Sequence, residues 1–219
     1  DVPAVRRGEL DHRADHQRRR RARIAAGAGH VGDAGTGIRA RRPARRGLTG
    51  GADSMRLPQP EMPGPGQESV WDYPRPPRLE PIDASITIEL GGEVIAETRH
   101  GWRVLETSHP PTYYLPRSAF RSGVLRDAPG ASWCEWKGRA RYFDLVTAAR
   151  VAAKAAWTYP DPTPGFEPIT DAVAVMAGQV DRCTVNGETV VPQPGGFYGG
   201  WITSWVVGPF KGGPGSMGW

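Results

Sequence analysis

The stretch SITIEL (85–90) puts Ile86, Ile88 and Leu90 on one side and Ser85, Thr87 and Glu89 on the other; after Gly91-Gly92 the run EVIAETR (93–99) follows. A period of two lines one face of a strand. Two glycines between such runs make a hairpin, because glycine enters the φ > 0 wells of a tight turn without steric cost. CTV-NG-ETV (183–190) repeats the device with Asn186-Gly187. Further strands are expected at 102–108, 132–136, 140–146, 172–177 and 201–207. Twelve prolines between residues 74 and 168 rule out long helices through that region. One stretch competes: VTAARVAAKAA (146–156) is rich in alanine and predicts one or two turns of helix. The expectation is an all-β, antiparallel fold, a compact sandwich or open barrel with long Pro/Gly-rich loops and at most one or two short helices.

Large side chains fix where that fold sits. Every Trp, Tyr and Phe lies at or after Trp71, whereas residues 1–54 hold thirteen arginines, six acidic residues and no lysine. The net charge of +5 therefore divides into +7 for the leader and −2 for the remainder. A segment without large apolar side chains cannot offset the entropy of ordering itself, so residues 1–54 are expected to be disordered. With no initiating Met, they read as translated sequence upstream of a start at Met55. RRRRAR (18–23) could serve as a basic arm, but it has neither interleaved aromatics nor periodicity, so nucleic acid is not the expected partner. Residues 55–69 read as a Pro/Gly-rich linker and 70–219 as a single β domain, and a chain starting at Met55 is expected to melt with the full-length one. No apolar run approaches the ~20 residues of a membrane span. Ile24 to Gly37 carries His30 and Asp33 where a secretory signal would be apolar, so the expected location is the cytoplasm, with no membrane partner and both cysteines as free thiols.

The chemistry-bearing residues gather in three stretches. In SWCEWKGRARYF (132–143), Cys134 precedes Lys137 and a glycine turn. An ammonium stabilises a nearby thiolate, yet positions three apart on a straight strand face opposite sides, so the pair meets only if the chain turns at Lys137-Gly138. Cys134 is then either a nucleophile or a small hydrophobe lining the core. On alternation Arg139 and Arg141 share the face of Lys137, and three cations together call for an anion opposite: Glu106, Asp144 or a ligand. In ETSHPPTYYLP (106–116), His109 precedes two prolines, which hold it extended, and it could act as a general base beside Glu106. The third stretch is the aromatic run at Trp157 and Tyr159. Trp133, Trp136, Trp157, Trp201 and Trp205 are expected mostly in the core. Tyr113, Tyr114, Tyr159 and Tyr198 are expected at a pocket wall.

No paired Cys-x-x-Cys spacing marks a zinc site, and the glycines around Lys211 lack the spacing of a phosphate loop, so no metal or cofactor is expected. Two readings remain. The first is a domain that binds an anionic or planar small molecule in a cleft lined by Lys137, Arg139, Arg141, Tyr113, Tyr114, Trp136, Tyr142, Trp157 and Tyr159. The second is an enzyme of unassigned reaction in which Cys134 is the nucleophile, Lys137 activates it and His109 or Glu106 moves protons.

The motifs VLETSHPPTYYLPR, CEWKGRARYF, AAWTYPDPTPGF and FYGGWITSWVVGPFKGGPGSMGW together resemble the bacterial family called domain of unknown function 427, sometimes labelled nucleotidyltransferase-like. The resemblance rests on Cys134, Trp136, Lys137, Gly138, Ala140, Tyr142, Ala155, Ala156, Trp157, Tyr159 and Pro160, in family order. Glu135 stands where the family commonly has proline. What the resemblance implies is a compact, mostly β fold; it supplies no reaction.

Overall fold

The computed structural model describes residues 58–216 and Trp219. The expectations for residues 1–54, and for the first three residues of the Pro/Gly-rich segment, lie outside the described residues. The strands are β1 (Glu68–Ser69), β2 (Arg78–Pro81), β3 (Ile86–Leu90), β4 (Glu93–Thr98), β5 (Trp102–Leu105), β6 (Thr112–Tyr114), β7 (Leu125–Cys134), β8 (Gly138–Val146), β9 (Val151–Thr158), β10 (Val173–Val175), β11 (Arg182–Val185), β12 (Glu188–Thr189), β13 (Val191–Pro192), β14 (Trp201–Ile202) and β15 (Val206–Val207). Among the described residues, helix is confined to three single 3-10 turns at Arg117–Ala119, Glu167–Ile169 and Ala177–Gln179. The fold is all-β, and among the described residues no helix is long and apolar enough to cross a membrane.

Two four-stranded antiparallel sheets carry the core, in the orders β12-β11-β3-β4 and β10-β9-β8-β7. Alternation does what the sequence implies: Ile86, Ile88 and Leu90 are fully buried while Thr87 and Glu89 are half-buried on the other face. These isoleucines, with Ile95 and Val185, pack on Phe143, Leu145, Ala155, Ala156, Val173 and Val175 from the opposing sheet. Trp201 joins this layer, only 1% exposed, with its Nε1–H donated to Val175 O at 3.0 Å. Its burial and satisfied donor make it the largest single contribution to the core.

The alanine-rich stretch is not helical. Residues 151–158 form β9, after a turn in which Thr147 N donates to Arg150 O at 2.8 Å. Ala155 and Ala156 lie fully buried between the sheets, where larger side chains would hold the layers apart. Packing decides here over the helix propensity of alanine. The strand absorbs a register shift opposite Phe143 and Leu145, close to Lys154, whose φ is 50°.

A three-stranded sheet, β2-β5-β6, lies against the outer face of β8, β9 and β10 and makes a second apolar layer from Val104, Tyr114, Ala140, Tyr159, Ile169 and Ala174. It is spliced to the larger sheet by the antiparallel bridge Leu115–Val173, whose two N–H···O bonds measure 2.9 and 2.8 Å. Two-stranded ribbons, β1-β15 (parallel) and β13-β14, complete the fold.

Candidate functional site

A cleft of about 650 Å³ opens on the face of the β7–β10 sheet turned away from the main core. The pleat of β8 explains which residues reach it. Ala140 and Tyr142 line the cleft, whereas Phe143 and Leu145 point into the core. Arg139 and Arg141 share the alternation of Phe143 and Leu145, lie exposed, and are not among the lining residues. They do not share a face with Lys137, because Lys137 sits in the turn 135–137, where the strand alternation no longer holds.

That turn builds the inner end of the cleft. Gly138 takes a φ of +87°, and the segment around Pro162 braces it: Thr163 N donates to Lys137 O at 3.3 Å, and the Thr163 hydroxyl donates to Trp136 O. The reversal carries Lys137 back beside Cys134, the condition on which their pairing depended. Lys137 is only 8% exposed, with its ammonium 5.9 Å from the ring centroids of Tyr159 and of Phe166. Among the described residues no carboxylate lies within ion-pair distance of it. Burial pushes its pKa down, while Tyr114, Cys134 and Glu106 push it up and leave it raised.

Aromatic rings enclose this cation. Tyr114 is fully buried, accepts a 3.3 Å bond from Trp157 Nε1 and meets that indole edge to face. Tyr159 lies 6.2 Å from Tyr114, and burial raises the pKa of both phenols, so both stay neutral. Trp136 also lines the cleft, and its Nε1–H is buried with no hydrogen-bond partner. Tyr142 closes the outer side, with its hydroxyl on Ser132 Oγ at 2.6 Å.

The opposite end belongs to the loop after β5. His109 Nδ1 lies 2.9 Å from Thr107 O, a geometry in which Nδ1 carries the proton and Nε2 keeps its lone pair. Burial lowers the pKa of His109; the Thr107 carbonyl and Glu106 push it back up, while Lys211 and Arg75 push it down, and the imidazole is neutral at pH 7. Ser108 before it is held at φ 67° with its hydroxyl buried and unpartnered. Glu106 is engaged by Arg75 at 3.4 Å.

Over the cleft passes the glycine-rich loop 194–200. Gln193 anchors it, donating to Lys211 O at 2.8 Å and accepting from Gly200 N at 3.1 Å. Gly199 rests on the Trp157 indole so closely that a Cβ would lie 2.1 Å from Cη2. Tyr198 meets His109 edge to face at 4.7 Å, and Phe197 projects into solvent.

The structure thus brings Cys134, Lys137, His109, Glu106, Tyr114, Trp136, Tyr142, Trp157 and Tyr159 to one cleft. Tyr113 is not with them: it is buried in the main core against Trp201, 5.1 Å between centroids, because its neighbour Tyr114 takes the cleft side of β6. Two tryptophans expected in the core are exposed, Trp133 by 73% on the edge strand β7 and Trp205 by 52% in a turn. Arg75, Lys154, Gln193, Phe197 and Lys211 also line the cleft. They come from four separate segments, and no local spacing in the sequence signals that they converge. Among the described residues, no three His, Cys, Asp or Glu side chains gather in a metal-holding group.

The model of the family described as domain of unknown function (DUF427) matches residues 78–186. That stretch runs from β2 to the end of β11 and contains the Cys134–Gly138 turn, His109 and Trp157, but neither the 194–200 loop nor Lys211. No curated protein matches the chain.

Proposed function

We propose that this chain, a member of the DUF427 family over residues 78–186, is a binding protein for an anionic small molecule with a planar group. One observation carries the reading: the Lys137 amine is buried in an aromatic pocket, and among the described residues no carboxylate lies within ion-pair distance of it. An unpaired buried charge is costly, and a ligand anion offsets that cost. Trp157, Tyr114 and Tyr159 supply flat walls of the kind that planar ligands pack against. The test is native mass spectrometry of the purified full chain, followed by thermal shift with a panel of planar anions. A bound anionic species, or a shift lost in Lys137→Met, supports the reading. An empty protein indifferent to every anion overturns it.

A second reading has its own support, since the half-buried Cys134 thiol opens onto the same cleft beside that ammonium. There Cys134 is the nucleophile and His109, with a free lone pair on Nε2, is the proton acceptor. Alkylation of Cys134 that already reaches its plateau rate near neutral pH favours the enzyme; a thiol that reacts only in alkali favours binding alone.

A further inference from the structure

We infer that the cleft is built for a flat monocarboxylate, its single charge on Lys137 and its ring reaching the exposed aromatic Phe197 at the mouth. This rests on the anion-binding reading above and narrows it by charge, donor type and length.

Charge is the first constraint. Of the cations on the cleft, Arg75 is held by Glu106 and Thr107 O, and Lys211 donates to Trp219 O at 2.7 Å. Lys154 stands exposed in water. Lys137 alone is nine-tenths buried and free of a carboxylate among the described residues. One ammonium within rings of low polarity neutralises one negative charge, and a dianion there would keep its second charge desolvated and unpaired.

Donors point the same way. Phosphate sites gather several N–H groups, from a helix N-terminus, a nest of main-chain amides or an arginine fork. The carbonyls Trp136 O and Lys137 O of the turn are both taken by Thr163, which does not line the cleft. Beside Lys137 the unpartnered Nε1–H of Trp136 is a spare donor. One ammonium and one indole N–H match the two oxygens of a carboxylate.

Length comes from the mouth. Phe197 on the glycine loop is 81% exposed and borders the cleft. A large ring left in water beside a cavity marks a surface meant to be covered. Trp157 and Tyr142 line the same cleft and offer flat faces on which a ligand can pack.

Three compounds with one ring and three head groups test this: 2-naphthoate, 2-naphthyl phosphate and 2-naphthamide, titrated calorimetrically into the full chain at pH 7.5. The carboxylate is expected to bind at least about tenfold tighter than either of the others. Lys137→Gln should reduce it to the level of the amide. Phe197→Ala, at an exposed position that the fold does not need, should weaken 2-naphthoate by about three- to tenfold and the shorter benzoate less. The phosphate binding as tightly as the carboxylate, or tighter, overturns the monocarboxylate inference while the anion-binding reading stands. The amide matching both anions overturns that reading as well, as does the absence of binding by all three. Unchanged affinity in Phe197→Ala removes the outer part of the site.

Discussion

His109 owes its neutrality to where its ring is held. Burial disfavours the imidazolium, and Lys211 and Arg75 add repulsion that the Thr107 carbonyl and Glu106 do not cancel. A histidine whose folded pKa is depressed binds fewer protons folded than unfolded between that value and its ordinary one. Stability from this group is therefore complete above about pH 6.5 and is lost as the pH falls through the folded pKa. Chemical denaturation of the wild type and His109→Gln from pH 5 to 8 should show the two curves converging toward the acid end. Parallel curves would mean that the imidazole is not held neutral. The thiols differ as sharply. Cys183 is buried between the sheets and its pKa is pushed up to about 12, whereas Cys134 is half exposed at the cleft. Iodoacetamide at pH 7.5 should add one label to the folded chain, at Cys134, and a second only after denaturation, since roughly one Cys183 in ten thousand or fewer is a thiolate there. That Cys134 and Lys137 could meet was readable from the glycine after them. That Arg139 and Arg141 would part from Lys137 was not, because a turn breaks the two-residue period at the position from which the faces were counted.

Among elements, hairpins were legible and packing partners were not. Gly91-Gly92 and Asn186-Gly187 close the hairpins that their dipeptides announce, with positive φ at all four residues. Residues 146–156 follow the sheet rather than their alanines, since only tertiary context discloses that two layers approach closely there. The 194–200 loop shows the same limit, because its glycines mark flexible backbone but not the ring that one of them covers. Gly199→Ala would drive a methyl into the Trp157 indole, which bonds to Tyr114 and walls the cleft. The expected cost is about 1–3 kcal/mol in stability, with ligand affinity lost in parallel. Gly213, in open space and at an ordinary φ, is the control, and its alanine variant should be silent. Equal melting temperatures for the two variants would show that the loop does not rest on Trp157.

At the scale of the molecule, Arg103 joins three elements. Its guanidinium makes a two-pronged pair with Glu68 of β1 at 3.0 and 2.9 Å and also binds Glu80 of β2, while Tyr73 donates to Glu68 at 2.6 Å. Burial would raise the pKa of Glu68, but Arg103 and Tyr73 outweigh it and lower it, so this contribution is present at neutral pH and fades as acid protonates the carboxylate. The pairs are partly exposed, so Arg103→Met should cost about 1–2 kcal/mol, a fall of roughly 2–8 °C in Tm, and less in 1 M salt. A salt-independent loss would assign the effect to packing. The all-β body was visible in alternation and proline spacing, whereas the union of its sheets was not, since Leu115 and Val173 lie 58 positions apart in the sequence.

That splice fixes how two walls of the cavity sit against each other. With β6 main-chain bonded to β10, the wall carrying Tyr114 and the floor carrying Trp157 belong to one continuous hydrogen-bonded fabric. The amides of Leu115 and Val173 should accordingly trade for deuterium only through global unfolding, while those of residues 195–199 exchange early. If the cleft takes a ligand as proposed, that wall and floor would then hold their spacing while the glycine strap moves.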